Sequence, residues 1–147
     1  MEHCAQTNGL VPEDTGVSPG QLSALDLAFV GDGVYDLLVR EHLVSGGARP
    51  VGELHRMAVR YVRASAQSDA LEAIRAELTE EETAVFKRGR NANGVKAPKN
   101  ALLADYRRAT GLEALFGWLY LSRKTARLRE LFSRILAAQE EEGQGLE

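Results

Sequence analysis

At 147 residues the chain is sized for one domain, and a globule of that length buries about two-thirds of its unfolded surface, so neither disulfides nor a structural metal is needed to hold it together. Hydrophobic residues make up 44% and charged residues 27% of the sequence, a balance that argues against disorder of the whole chain. The single cysteine, Cys4, excludes a disulfide framework or a cysteine-held metal cluster. No apolar run reaches the length of a membrane span, and the first residues lack the basic start and apolar stretch of a secretory signal, so a cytoplasmic protein without membrane association is expected.

Residues 1–17, with Gly9, Pro12 and Gly16, show no helical or strand period and are read as a loose leader. Ser18 before Pro19 predicts a helix start. The helix that follows carries Leu22, Leu25, Phe29, Tyr35, Leu38 and Val39 on an apolar face, widened by Leu27, Val30, Val34 and Leu37. A face that broad marks a central helix, one that lends part of its surface to a second copy of the chain, or both. Gly46, Gly47 and Pro50 end it.

A second helix is expected over 51–68, with Leu54, Met57, Ala58, Tyr61, Val62 and Ala66 inward and Arg56, Arg60 and Arg63 outside, then a short helix over 69–77. Thr79 stands three residues before Glu82, the capping-box spacing, and opens a helix to about Arg88. The stretch Gly89 to Asn100 combines glycine, proline, asparagine and three basic side chains, and its length between helices marks a functional loop. Helical periodicity resumes at Ala101 and runs to about Leu121, with Leu102, Leu103, Tyr106, Leu112, Leu115, Phe116, Leu119 and Tyr120 inward. A last helix over 125–141 precedes an acidic tail, residues 142–147. Six helices without a strand pattern define an all-α fold, one domain over residues 18–141.

Two carboxylates stand in apolar surroundings: Asp32 in Phe29-Val30-Gly31-Asp32-Gly33-Val34-Tyr35, and Glu113 in Gly111-Leu112-Glu113-Ala114-Leu115-Phe116. Carboxylates are rarely buried without a positive or hydrogen-bonding partner. Either each acid lies on a narrow polar stripe or caps a neighbouring helix, or the two converge on a hard divalent cation, which needs only one or two protein carboxylates. Gly31 and Gly33 would let a facing helix or substrate backbone approach closely. Asp36, one turn after Asp32, either joins that site or pairs with Arg40. The three histidines share no ligand spacing.

A net charge of −3 excludes a uniformly basic surface but not a local one. Between Lys87 and Arg108 the charged residues are Lys87, Arg88, Arg90, Lys96, Lys99, Arg107 and Arg108 against one acid, Asp105. A solvated face and a phosphate-binding surface are both consistent with that block.

At these residues the sequence resembles the ribonuclease III family. Leu27-Ala28-Phe29-Val30-Gly31-Asp32-Gly33-Val34-Tyr35-Asp36 is similar to the family signature, and Ala109 to Leu121 resembles its second acidic helix. Lys87 to Ala92 and Tyr106 to Thr110 resemble the Mini-III branch, which lacks an appended RNA-binding domain. The resemblance implies a ribonuclease III endonuclease-domain fold, a homodimer with two sites flanking one RNA duplex, and magnesium, or manganese in its place, bound by Asp32 and Glu113. It further implies cleavage of double-stranded RNA to 5′-phosphate and 3′-hydroxyl ends, with 23S ribosomal RNA maturation as the setting. Two acids of the wider family are absent: their positions fall on Ala28 and Thr110. Thr110 is then either a hydroxyl that orients water or a core-edge residue. A catalytically inactive double-stranded RNA-binding or ribosome-associated module is the alternative.

Overall fold

The computed structural model describes residues 18–94, 96–99 and 102–145; the leader 1–17, with Cys4, lies outside the described residues, as do Val95, Asn100, Ala101 and the last two residues of the acidic tail. Six helices form the domain, with no strand among the described residues: α1 (Ala24–Ser45), α2 (Val51–Val62), α3 (Ala64–Ile74), α4 (Glu80–Arg90), α5 (Leu103–Leu121) and α6 (Thr125–Gly145).

Ser18 and Pro19 open a single 3-10 turn rather than the helix itself, because Leu22 is extended and breaks the run. The effective cap of α1 is Ser23, whose hydroxyl accepts from the Asp26 N–H at 3.1 Å. In place of one helix over 51–68, Arg63 turns extended (ψ 153°) and separates α2 from α3. The Val62 carbonyl near that break accepts from the Gln67 side chain at 3.1 Å, so a terminal helix carbonyl keeps a partner.

The capping box of α4 is present in both directions, Thr79 Oγ1 accepting from the Glu82 N–H and Glu82 from the Thr79 N–H. Glu82 also receives Arg127 of α6 through Nε and Nη2, both at 2.9 Å, while Arg127 donates to the Glu77 carbonyl. Arg127, outweighing burial, thereby holds the Glu82 carboxyl below its ordinary range. One side-chain pair ties α6 to the start of α4.

The central helix is α5, not α1. From Ala109 to Leu119 every α5 residue except Glu113 is buried, and α5 packs against α1, α3, α4 and α6, so it is hydrophobic all round as a core helix must be. By contrast α1 buries Leu27, Gly31, Tyr35 and Leu38 but leaves Phe29 82% exposed, with Leu37 and Val44 also outside. The sequence places Phe29 on the inward face beside Tyr35 and Leu38; the structure buries the latter two and turns Phe29 out. A helix apolar on nearly every side does not announce which side faces the core. Leu102 and Leu103, also expected inward, are exposed because α5 enters the core only at Ala109. Helix α6 continues to Gly145, past the expected end at Glu141.

Candidate functional site

The two apolar-context carboxylates meet where α1 crosses α5. A Cβ added at Gly31 would overlap the Glu113 backbone carbonyl, and one added at Gly117 would overlap the Leu27 carbonyl. Two missing side chains therefore let the helices touch backbone to backbone. Asp32, next to Gly31, is thereby set beside the Glu113 carboxyl, near enough for its charge to act on it. Gly33 differs from Gly31: nothing lies within 4 Å of where its Cβ would be, so no facing helix approaches it.

Glu113 is half-buried and Asp32 exposed. Burial, and then the negative charge of Asp32, pushes the Glu113 pKa up to about 8, while the Gln67 amide pulls it the other way. Behind the pair, the Tyr35 hydroxyl is fully buried without a partner; burial first, then Tyr61 and Glu113, raise its pKa.

Sequence reasoning missed Gln67. It is 1% exposed on α3 and directs Nε2 both to the Val62 carbonyl and to Glu113 Oε2, at 3.1 and 3.4 Å. The carbonyl can only accept, so the amide end, not the oxygen, must face Glu113. Its Oε1 is buried without a partner. One signal could have found it: Gln67 shares a helical register with Leu71 and Ile74, so it is a polar residue on an apolar stripe.

Replacing Gln67 with Leu keeps the bulk and removes the donor. It is expected to move the Glu113 titration further upward and lower activity about tenfold or more near neutral pH. A pH–rate profile beside a thermal melt checks this, and an unmoved profile midpoint would mean that Gln67 only fills space.

Two neighbouring oxygen-donor carboxylates, with no cationic side chain ion-paired to either among the described residues, suit a hard cation that keeps several waters. No group of three or more histidine, cysteine, aspartate or glutamate side chains gathers among the described residues. Ala28 and Thr110, where the wider family carries acids, are both buried, at 6% and 8% exposure. The Thr110 hydroxyl donates to the Tyr106 carbonyl at 2.9 Å. Asp36 pairs with Arg40 at 3.1 Å.

The basic block divides into two sorts. Lys87, Lys96 and Lys99 are exposed. The arginines are tethered: Arg88 donates to the Leu22 carbonyl, Arg107 to the Arg90 carbonyl and Arg108 to Ser68, while Arg90 bonds Asn91 and lies over the Phe86 ring at 5.4 Å. Gly89 and Arg90 belong to the last turn of α4, so the loop proper begins at Asn91. None of the seven forms an ion pair with a carboxylate among the described residues.

The ribonuclease III domain model matches residues 25–124 of this all-helical chain. The chain belongs to the ribonuclease III family. Within it, the similarity is to proteins named Mini-ribonuclease 3. That of Enterococcus faecalis is 47% identical over 115 residues, covering 77% of this chain and 87% of the relative. That of Brevibacillus brevis is 44% identical over 130 residues, covering 88% and 97%. Among solved structures, protein FN1578 from Fusobacterium nucleatum superposes with a TM-score of 0.72 at 28% identity, over 81% of this chain and 95% of that one. No helix among the described residues is long and apolar enough to cross a membrane.

Proposed function

We propose that this protein is an endoribonuclease that cleaves double-stranded RNA, with magnesium, or manganese in its place, held by Asp32 and Glu113. The observation that carries the reading is the close α1–α5 approach at Gly31, which sets Asp32 beside Glu113. Asp32 and Glu113 would hold a divalent cation there, which would supply positive charge to the scissile phosphate and activate water for attack. Glu113, which holds its proton to about pH 8, gives that proton up when a cation binds. Gln67 keeps the resulting carboxylate aimed. The hydroxyl of Thr110 has its proton engaged with its own helix, which leaves its oxygen lone pairs to accept from a water, and Asp36 with Arg40 stands one turn along α1.

Lys87, Arg88, Arg90, Lys96, Lys99, Arg107 and Arg108 take the phosphates of the duplex, whose recognition rests on backbone and shape more than on base edges. The products carry 5′-phosphate and 3′-hydroxyl ends. The active form is a homodimer, a reading supported by the 82% exposure of Phe29 and by Leu25, Leu102 and Leu103 standing outside the core. A precursor of 23S ribosomal RNA in the cytoplasm is the proposed substrate.

Incubation with a long RNA duplex, a single strand of matched length and a mononucleotide, each with magnesium and with chelator, tests the reading. Magnesium-dependent cleavage of the duplex alone is expected. Duplex binding without cleavage under any condition would overturn it and favour a non-catalytic RNA-binding module.

A further inference from the structure

Outside the carboxylate pair and the loop, another set of basic side chains has no use within the fold. Arg56, Arg60 and Arg63 lie at i, i+4 and i+7 on α2 and its final residue step, so they share one side of the helix at about 5.4 Å per turn. All three are exposed, and Val59 and Gly52 on the same side are exposed too, so nothing in the described chain covers this face. Four other arginines behave differently. Arg75, Arg127, Arg129 and Arg134 each pair with a glutamate, at 3.4, 2.9, 2.9 and 2.8 Å. Among the described residues no carboxylate pairs with Arg56, Arg60 or Arg63, and Glu53, the one acid of α2, is not their partner.

Like charges a turn apart repel, so the uncompensated row costs stability that an external polyanion would restore. Each is also arginine, whose planar fork takes phosphate oxygens two at a time. Position decides which polyanion. The row ends at Arg63, and the adjoining Val62 carbonyl shares the Gln67 amide with Glu113. The end of the strip therefore lies one residue from a carbonyl that Gln67 links to Glu113. Of the polyanions, a duplex engaged at the carboxylate pair can extend toward the neighbouring strip, which favours RNA over an acidic protein.

We propose that the exposed side of α2, through Arg56, Arg60 and Arg63, is a second phosphate-binding strip that holds duplex RNA beyond the Lys87 to Arg108 block. The inference rests on the duplex-RNA reading above and adds a binding surface to it.

The test is equilibrium binding of the full chain to a fluorescent RNA duplex several turns long, in chelator, across a series of potassium chloride concentrations. In the variant Arg56→Gln/Arg60→Gln/Arg63→Gln, affinity at low salt is expected to fall about tenfold or more. The slope of log affinity against log salt should shrink by roughly two to three, on the order of one for each phosphate that is no longer neutralised. Arg60→Glu alone should show the same sense of change, and Arg129→Gln/Arg134→Gln on α6 should change neither quantity. Thermal melts confirm that the variants fold.

Unchanged affinity and slope in both α2 variants would overturn the proposal. So would loss of binding to polyglutamate with duplex binding intact, which would assign the strip to an acidic protein partner. If the unaltered chain itself shows no duplex binding, the broader reading fails first, and that outcome is distinct from the other two.

Discussion

Glu113→Gln is expected to abolish RNA cleavage and, in chelator, to make the protein more resistant to heat. On the proposed role of Glu113 as a metal ligand, activity falls by on the order of a thousandfold, about 4 kcal/mol of transition-state stabilisation. The gain in stability follows from the raised titration of Glu113. Below its ordinary value of 4.5 the carboxyl is protonated in folded and unfolded chains alike, and contributes no difference. Between 4.5 and about 8 the folded chain keeps a proton that the unfolded chain has released. Stability of the metal-free protein therefore declines as pH rises through that window, and above it the ionised pair carries its full penalty.

Discounted for the solvent that still reaches the site, the penalty is about 2 kcal/mol. That corresponds to a melting difference of about 5 °C. The advantage of Glu113→Gln should therefore be greatest near pH 8 and vanish near pH 4.5, and saturating magnesium should narrow it by stabilising only the unaltered chain. Melting curves at several pH values, with and without magnesium, measure this. A variant less stable than the parent at pH 8 in chelator would show that burial and the charge of Asp32 do not penalise the ionised Glu113 carboxyl.

Gly31→Ala carries the largest expected cost to folding. Its methyl group would fall on the Glu113 carbonyl, a backbone atom that no rotamer change can move aside. Relief requires α1 and α5 to part, and overpacking of this kind costs about 3 kcal/mol or more, a fall in melting temperature of roughly 10 °C. Since the same crossing brings Asp32 to Glu113, the fraction that still folds should also lose activity. Gly33→Ala is the internal control. Open space surrounds that position, so alanine should leave stability unchanged or raise it by about 0.5–1 kcal/mol through better helix propensity. Equal melting temperatures for the two variants would remove the crossing as the explanation.

These two glycines show how far the sequence reached. Their chemistry invited a close approach at both, yet they lie two residues apart on one helix and face different ways. Only the placement of α5 separates the one that is pressed from the one that is free. The acid positions were legible for the opposite reason: a carboxylate in an apolar run is costly wherever the helix ends up, so Asp32 and Glu113 stand out before any contact is known. Thr79 and Glu82 were equally legible, because a capping box is completed within four residues.

Gln67 was not, since its importance comes from two partners that α2 and α5 bring to it. The side of α1 that faces the core was hidden by an apolar surface running nearly all the way round. The sequence by itself determined an all-helical domain, its two exceptional acids and the uneven placement of its basic residues, because these depend on local periodicity and on residue chemistry. The tertiary structure alone decided that α5 is the central helix, that Phe29 turns outward, and that Asp32 meets Glu113 through a gap left by two absent side chains, because each of those depends on which surfaces pack together.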